Sequence, residues 1–221
     1  MVVLSTGTEL TPPGEPLAPG RIYESNSVLV AAAVREVGGE ATVLRFVPDD
    51  VDAFLATVAD LSDADLLITS GGVSAGAYEV VKDALTGRGV EFVRVAMQPG
   101  GPQGSGLLAG GPAVVALPGN PVSAALSFEL FVRPALLGAM AHAVVDLPHA
   151  RARTTAPLRS PVEKVQYRRG RHDEGVVEVV PVGGPGSHLL ASFAESNCLI
   201  VLPVGVGEVV EGDEVELILL D

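Results

Sequence analysis

The hydrophobic positions in the first two-thirds of the chain follow two alternating spacings. Runs of consecutive aliphatic residues, as in "MVVLST" (1–6) and "ADLLITSGG" (64–72), are typical of strands that are buried on both faces. The segments between such runs place apolar residues at helical spacing, most clearly in 25–38 and in the long segment 120–140. This alternation predicts an α/β fold, in which helices cover both faces of a mainly parallel sheet.

The spacing changes near residues 141–150. Beyond this point the chain shows short alternating runs such as "VEKVQYRRGRH" (162–172), which Pro and Gly separate, and helical spacing is absent. This pattern predicts a small all-β, barrel-like domain of about 70 residues. We therefore divide the chain into an α/β domain, 1–145, and a C-terminal small β domain, 146–221.

Charge and composition exclude several classes of partner. The formal net charge of −13 argues against nucleic acid, which requires a basic surface. It does not argue against a small anion, because backbone N–H groups can hold phosphate. No apolar run approaches the length needed to cross a bilayer, and we see no signal peptide. The single cysteine, Cys198, suits a reducing compartment and is expected to be a buried hydrophobe. We therefore expect a cytoplasmic protein that binds neither nucleic acid nor membrane.

The loops that follow the predicted strands carry the candidate chemistry. They are rich in small residues, as in "STGTEL" (5–10), "SGGVSAGAYE" (70–79) and "LPGNPVSA" (117–124). In an open parallel sheet, ligands bind beyond the carboxyl ends of the strands, so we expect these loops to meet at one edge. Small residues there would let a ligand approach the backbone closely.

Acidic residues also follow the strand ends, and they suggest a divalent cation. Mg²⁺ is typically held by one or two carboxylates together with ligand phosphates. Two or three of these acids could share such an ion, although each could instead be a solvated surface acid, and Glu79 could simply pair with Lys82. The acids are Glu9, Asp49, Asp50 and Glu79.

The individual motifs also have structural interpretations. "SGGVSAG" (70–76) is neither a P-loop nor a dinucleotide fingerprint and could be a tight turn. Asn120 is expected to cap the helix that begins at Pro121, as at many helix starts. The four histidines lack metal-ligand spacing, and no Ser–His–acid nucleophile can be assembled, so a zinc site and a serine nucleophile are not predicted.

Taken together, the motifs resemble those of one known family. "STGTEL", "GRIYESNS", "TSGGVSAGAYE", "QPGGP" and "LPGNPVSA", followed by "GSHLLASFAESNCLIVLP", occur here in the order and spacing of the molybdopterin molybdenumtransferases. These molybdenum insertases include the bacterial MoeA type and the E domain of gephyrin. No single motif is specific, but the resemblance extends over essentially the whole chain.

The resemblance implies an enzyme of molybdenum cofactor biosynthesis. The family cleaves adenylylated molybdopterin in a step that depends on a divalent cation, here expected to be Mg²⁺, and inserts molybdate to give molybdenum cofactor and AMP. By matching motifs, Glu9, Asp49 and Glu79 are the candidates for the cation site and for hydrolysis. Arg169 and Ser187 match positions implicated in oxyanion binding.

Loop position and resemblance together predict a set of ligand-binding residues. Five of them match the family's pterin-holding loops: Ser74, Pro118, Gly119, Asn120 and Ser123. The full set is Thr6, Gly7, Asn26, Ser27, Ser70, Gly71, Gly72, Ser74, Gly76, Arg94, Pro118, Gly119, Asn120, Pro121, Ser123, Arg169 and Ser187.

Several departures from the family pattern bear on activity. Thr8 replaces an Asp, Glu79 replaces an Asp, and Gln98 and Gly101 replace lysines that many relatives carry. The family's N-terminal lobe, which contributes to its dimer, has no counterpart here, so we expect a homodimer to be weak or absent. Two alternatives stay open: a non-catalytic molybdopterin-binding or scaffold module, and a molybdopterin adenylyltransferase, which typically has "GGTG" and lacks the C-terminal β domain.

Overall fold

The computed structural model describes residues 1–44, 50–73 and 79–220 and divides into two compact units. The first contains 1–95 and 102–143, and the second contains 96–101 and 144–221. The sequence-based division at 145/146 did not anticipate the short excursion at 96–101. Met97 and Gln98 belong to the second unit because they pair with Val165 and Gln166 of a strand there.

The described part of the chain contains the following strands and helices. The strands are β1 (Val2–Ser5), β2 (Leu10–Thr11), β3 (Ile22–Tyr23), β4 (Thr42–Val43), β5 (Leu66–Ser70), β6 (Val90–Arg94), β7 (Met97–Gln98), β8 (Pro102–Leu107), β9 (Ala113–Leu117), β10 (His149–Thr154), β11 (Leu158–Arg159), β12 (Val165–Arg171), β13 (Glu178–Pro181), β14 (Cys198–Leu202), β15 (Glu208–Val209) and β16 (Glu214–Leu219). The helices are α1 (Asn26–Glu36), α2 (Val51–Ala59), α3 (Val80–Leu85), α4 (Pro121–Ser127), α5 (Arg133–Ala139) and α6 (Leu190–Ala194), with a π-helical turn (Phe128–Val132) between α4 and α5.

The first unit is built on a six-stranded sheet in the order β4-β1-β5-β9-β8-β6. The strands β4, β1, β5 and β9 are parallel, and β8 and β6 form an antiparallel edge. The predicted mainly parallel α/β sheet is therefore confirmed. In its register Ser5 lies beside Ser70, which lies beside Leu117, so the three central strands end at the same level.

Helices cover both faces of this sheet, as the continuous aliphatic runs predict. On one face the side chains of Leu4 and Leu67 pack with Phe54 of α2 and Val81 of α3. On the other face Val3 and Ile68 pack in a core that includes residues of α1 and α4, as well as Phe128. Successive residues of one strand thus enter different cores, which fixes the register of the strand.

Within the described ranges, one helical run is long and apolar enough to cross a membrane, contrary to the expectation from the sequence. It is Pro121–Ala139, and 56% of its most apolar window is buried inside the protein. This burial is typical of a helix in the core of an α/β sheet, where α4 packs against β9.

The second unit is a closed barrel of five strands. Hydrogen bonds connect β13, β10, β16, β14 and β12 in turn, and β12 pairs back to β13, while β7 lies outside β12. This confirms the predicted barrel-like domain. Cys198 is fully buried in its core. The short helix α6 was missed, because five residues are too few to establish a helical period.

Two further expectations changed within the first unit. The apolar run "EATVLRFV" (40–47) predicts a strand. Its described part contains only the strand Thr42–Val43, and 45–49 lie outside the described residues. The Pro- and Gly-rich segment 11–22 is predicted from the sequence as a loop, one that is long for a plain connection. In the structure its two ends pair as the parallel strands β2 and β3, which brings Leu10 beside Ile22.

Candidate functional site

The loops that follow β1, β5 and β9 begin side by side at the carboxyl edge of the sheet. The backbone N–H of Thr6 donates to the carbonyl oxygen of Ser70 at 3.0 Å, and that of Gly71 donates to Leu117 O at 3.1 Å. The expected convergence of these loops is therefore present in the described residues. We call this edge, formed by Thr6, Ser70–Gly72, Pro118–Gly119 and Asn26, the rim.

One buried side chain connects three segments of the rim. The amide of Asn26, at the start of α1, donates from Nδ2 to Ser70 Oγ at 2.7 Å and to Gly119 O at 2.7 Å. Ser70 Oγ in turn donates to Pro118 O at 3.3 Å. Asn26 is 8% exposed and Ser70 is 2% exposed, so these bonds are shielded from water. The network fixes the spacing between the loop after β5 and the loop after β9.

Behind Asn26 lies a buried carboxylate that the sequence analysis missed. Glu24 is 7% exposed and accepts hydrogen bonds from Ser5 Oγ at 2.8 Å, Ser27 N at 2.7 Å and Ser27 Oγ at 2.5 Å. A negative charge at the N-terminus of α1 is favoured by the helix dipole. Ser27, predicted to bind ligand, has its hydroxyl committed to Glu24. The sequence signal that could have revealed Glu24 is an acidic residue directly before a predicted helix start, in "YESNS".

The loop after β5 needs glycine because it crosses the end of β1 closely. Gly71 and Gly72 have positive φ, 93° and 66°, a region that favours glycine. A Cβ on Gly71 would stand 2.7 Å from Thr6 O, and one on Gly72 would stand 3.0 Å from Val81 Cγ2. The small residues at the start of this loop therefore serve close packing of backbone on backbone.

Glu9 lies on the short loop after β1 and is exposed. Its carboxylate folds back over Gly7, where a Cβ would stand 2.6 Å from Oε2. Arg21 holds the two residues that flank Glu9, because its Nη1 donates to the carbonyl oxygens of Thr8 and Leu10. Arg21 was not predicted; its contacts depend on the pairing of β2 with β3, which the sequence did not reveal.

The other predicted acids have different environments. Glu79, directly before α3, is 13% exposed and accepts from Lys82 Nζ at 2.7 Å, so the pairing considered from the sequence is present. Asp50 caps α2 by accepting from Ala53 N at 2.7 Å. Asp49 lies outside the described residues, as do Ser74 and Gly76.

The three-carboxylate cation site stays a prediction, because one of its members, Asp49, lies outside the described residues. Within the part of the chain that the structure describes, there is no group of three His, Cys, Asp or Glu side chains able to hold a metal ion. Glu9 and Glu79 are the two described members of the predicted trio. Their carboxylates still match the donor chemistry of Mg²⁺, which takes one or two carboxylates and completes its shell with ligand phosphate and water.

Three further predicted residues stand apart from the rim's hydrogen-bond network. Asn120 occupies the capping position of α4, with Pro121 after it, but its side chain makes no capping hydrogen bond, contrary to expectation. Ser123 is buried within α4 at 3% exposure. Arg94 is exposed on the edge strand β6, two strands from β9, so the sheet order separates it from the rim by roughly 10 Å.

The second unit contains a separate polar centre. Arg169 is 2% exposed and donates from Nη1 to Gly186 O at 3.2 Å and from Nη2 to Gly184 O. Ser187 follows directly and is partly buried. Arg169 thus orders the loop that carries Ser187. The Ser187 side chain forms no hydrogen bond with another residue that the structure describes. Both residues had been predicted from the family pattern.

Arg168 joins this centre and had not been predicted. It is 9% exposed, and its Nη2 donates to Gly183 O at 3.2 Å. The Nε atoms of Arg168 and Arg169 are buried without a partner among the described residues. Burial lowers the pKa of both guanidinium groups, and the charge of Arg168 lowers the pKa of Arg169 further. Two desolvated cations that hold only carbonyl oxygens are suited to an oxyanion.

Comparison with known proteins gives a consistent result. A family model for a probable molybdopterin binding domain matches residues 2–138, and one for the MoeA C-terminal region, domain IV, matches residues 151–220. A solved structure titled a molybdopterin biosynthesis MoeA protein from Pyrococcus horikosii superposes with a TM-score of 0.83 at 31% identity, covering 100% of this chain and 54% of that chain.

Curated relatives carry the same family name. Molybdopterin molybdenumtransferase 2 of Mycobacterium tuberculosis is 50% identical, over 98% of this chain and 55% of the relative. The molybdopterin molybdenumtransferase of Haemophilus influenzae is 38% identical, over 97% of this chain and 54% of the relative. The chain therefore spans about half the length of the curated relatives it matches. With both parts matched, the chain belongs to the MoeA family of molybdopterin molybdenumtransferases.

Proposed function

We propose that this chain takes part in molybdenum cofactor biosynthesis by cleaving adenylylated molybdopterin and inserting molybdate, releasing molybdenum cofactor and AMP. The observation that carries the proposal is the Asn26 amide, which joins the loops after β5 and β9 through Ser70 and Gly119. This bond network supports a preorganised rim where glycine-rich loops leave backbone groups close to a ligand. Preorganised donors stabilise charge on phosphate oxygens with little reorganisation.

Two carboxylates are proposed to serve the hydrolytic step. Glu9 and Glu79 would contribute oxygen ligands to Mg²⁺, together with a phosphate of the substrate. A bound divalent cation would neutralise the charge that develops on the phosphate oxygens. Glu79 is also proposed to accept a proton from the attacking water, because its carboxylate is already oriented by Lys82 Nζ at 2.7 Å. Thr8 stands where the family pattern has an Asp, so one carboxylate is absent, whereas Glu79 keeps a carboxylate in place of an Asp. Glu9 and Glu79 are therefore the two carboxylates left at these motifs.

Molybdate is proposed to bind in the second unit. It is a tetrahedral dianion and requires charged and neutral donors arranged around it. Arg169 has N–H groups beyond the two that hold Gly184 and Gly186, and the Ser187 hydroxyl lies on the loop that this guanidinium orders. The buried cations of this unit support an oxyanion there even though the whole chain is acidic.

The proposed function is tested by Glu79→Gln in an assay containing adenylylated molybdopterin, Mg²⁺ and molybdate. We expect AMP release to fall by at least about a hundredfold, because the variant loses both a cation ligand and a proton acceptor. Substrate binding should be largely retained. Glu79→Asp is the matched control and should stay active, since it keeps the carboxylate and restores the residue of the family pattern. Unchanged AMP release by Glu79→Gln would remove Glu79 from the mechanism.

The same assay separates the two alternatives. Substrate binding without AMP release by the unmodified chain would favour a molybdopterin-binding or scaffold module. ATP-dependent adenylylation of free molybdopterin would favour an adenylyltransferase. The match of residues 151–220 to the MoeA C-terminal region supports the insertase over that second alternative, which lacks this domain.

A further inference from the structure

Two threonine hydroxyls at the centre of the sheet are buried without a hydrogen-bond partner among residues 1–44, 50–73 and 79–220. They are Thr6 Oγ1 and Thr69 Oγ1, and the residues are 5% and 0% exposed. A buried hydroxyl without a partner destabilises the folded state, because it loses the hydrogen bonds that it makes to water in the unfolded chain. Each such group therefore calls for a physical reason to be present.

The two hydroxyls have different surroundings. Thr69 lies inside β5, between Leu4 of β1 and Ala116 of β9, and both neighbours are fully buried and apolar. No polar ligand can reach that position without opening the sheet. Thr6 lies just beyond the end of β1, beneath the turn that Gly71 and Gly72 form.

The glycine turn is what gives a ligand access to Thr6. A Cβ on Gly72 would stand 3.1 Å from Thr6 Oγ1, and one on Gly71 would stand 3.2 Å from it. Gly72 is itself partly exposed. A residue without a side chain thus lies between the hydroxyl and solvent, and any larger residue at position 72 would crowd the hydroxyl.

We propose that the Thr6 hydroxyl, which has no partner in the part of the chain that the structure describes, donates a hydrogen bond to a phosphate oxygen of the ligand. This inference rests on the proposed function, which places a phosphorylated ligand at the rim. A donor aimed at an anionic oxygen forms a strong hydrogen bond, whereas the free protein carries the cost of the unpaired group. Thr69 carries the same cost with no ligand to satisfy it, so the pair provides an internal control.

The test compares Thr6→Val, Thr6→Ser and Thr69→Val in the 221-residue chain. Valine has nearly the shape of threonine but lacks the hydroxyl, and serine keeps it. In the absence of ligand, both valine variants should unfold about 2–4 °C higher than the unmodified chain, because each loses an unpaired buried group. AMP is the probe for binding by calorimetry, and adenosine is the probe without phosphate.

We expect Thr6→Val to bind AMP about tenfold more weakly and adenosine without change. Thr6→Ser and Thr69→Val should bind AMP as the unmodified chain does. Equal AMP binding by Thr6→Val, or an equal loss for adenosine, would overturn the inference while leaving the proposed function intact. An equal loss in Thr69→Val would also overturn it, because the effect would then come from general loosening of the sheet. If the unmodified, folded chain binds no AMP, the proposed function itself fails, and the inference fails with it.

Discussion

Near the rim of the α/β unit, the buried ionisable group is a carboxylate, whereas in the barrel unit the buried ionisable groups are guanidiniums. Glu24 accepts three hydrogen bonds, from Ser5 and Ser27, and each comes from a hydroxyl or a backbone N–H. Among the described residues, Arg168 and Arg169 donate only to carbonyl oxygens of one loop. Within the same part of the chain neither arrangement includes an ion pair. Each unit therefore keeps a buried charge whose protein partners are neutral.

The net charge of the chain therefore does not determine the charge of a local site. The chain carries a formal charge of −13, yet the barrel buries two adjacent cations. In the α/β unit the buried charge is spent on structure, because Glu24 fixes the start of α1 and so the position of Asn26. In the barrel unit the guanidiniums retain N–H groups that no described residue accepts, including both Nε atoms. The hydrogen-bonding capacity of Glu24 is thus used within the protein, whereas Arg168 and Arg169 keep N–H groups that can bind a ligand.

The largest effect is expected from replacing a buried arginine of the barrel unit. Arg169→Met removes the guanidinium that donates to Gly184 and Gly186, so we expect molybdate affinity to fall on the order of a hundredfold. Calorimetric titration with molybdate measures it. Arg169→Lys is the control and should give a smaller loss, because it keeps the charge but cannot bridge two carbonyls with a rigid fork. Molybdate binding by Arg169→Met equal to that of the unmodified chain would exclude this centre as the oxyanion site.

A smaller effect is expected from replacing the buried carboxylate of the α/β unit. Glu24→Gln replaces a carboxylate that accepts three hydrogen bonds with an amide that has one acceptor oxygen, so the free energy of unfolding should fall by about 2–3 kcal/mol. Urea unfolding measures it. Glu15→Gln, at an exposed position, is the matched control and should change stability by less than about 0.5 kcal/mol. If both variants unfold alike, Glu24 does not organise the start of α1.

The smallest effect is expected from Glu129, a carboxylate whose pKa is shifted mainly by burial. Glu129, in the π-helical turn, has its pKa raised to about 7, chiefly by burial; Arg133 lowers the pKa and Glu36 raises it. Its closest ion-pair contact is Arg133 Nε at 3.8 Å. Because this pKa is higher in the folded than in the unfolded state, the folded chain binds more protons, and stability falls as pH rises from about 4.5 to about 7.

Glu129→Gln should therefore abolish this part of the pH dependence. At pH 8 we expect the variant to be more stable than the unmodified chain by about 1–2 kcal/mol, and at pH 4 the two should unfold alike. Thermal unfolding across this pH range measures the difference. A stability difference that stays the same from pH 4 to pH 8 would mean that Glu129 does not titrate in this window. The contrast with Glu24 would then come from packing and not from ionisation.

Topology explains which parts of the site the sequence could predict. The approach of Thr6, Ser70 and Gly119 follows from parallel strands that end at one level, and continuous aliphatic runs are enough to indicate such strands. Asn26 was reached in the same way, since it lies where the first helix begins. These residues are close because of the fold class, and fold class is encoded in local periodicity.

The missed residues depend on contacts between distant segments. Glu24 looks like an ordinary helix-start acid until Ser5 is placed beside it, and Arg21 acts only through the pairing of β2 with β3. Neighbouring strand residues normally face opposite sides, so the dipeptide "RR" at 168–169 does not by itself indicate that both arginines are buried. Both are buried because the loop beginning at Gly183 supplies carbonyl oxygens to each.

On the proposed function, the two units bind different ligands of one reaction: a phosphorylated ligand at the rim and an oxyanion at the paired arginines. Amide NMR of the isotope-labelled chain, titrated separately with AMP and with molybdate, distinguishes the two sites. AMP should shift the amide signals of Thr6, Asn26, Gly71 and Gly119, and molybdate should shift those of the loop that ends at Ser187. Shifts from both ligands in the same unit, or AMP shifts that avoid the rim, would contradict the account.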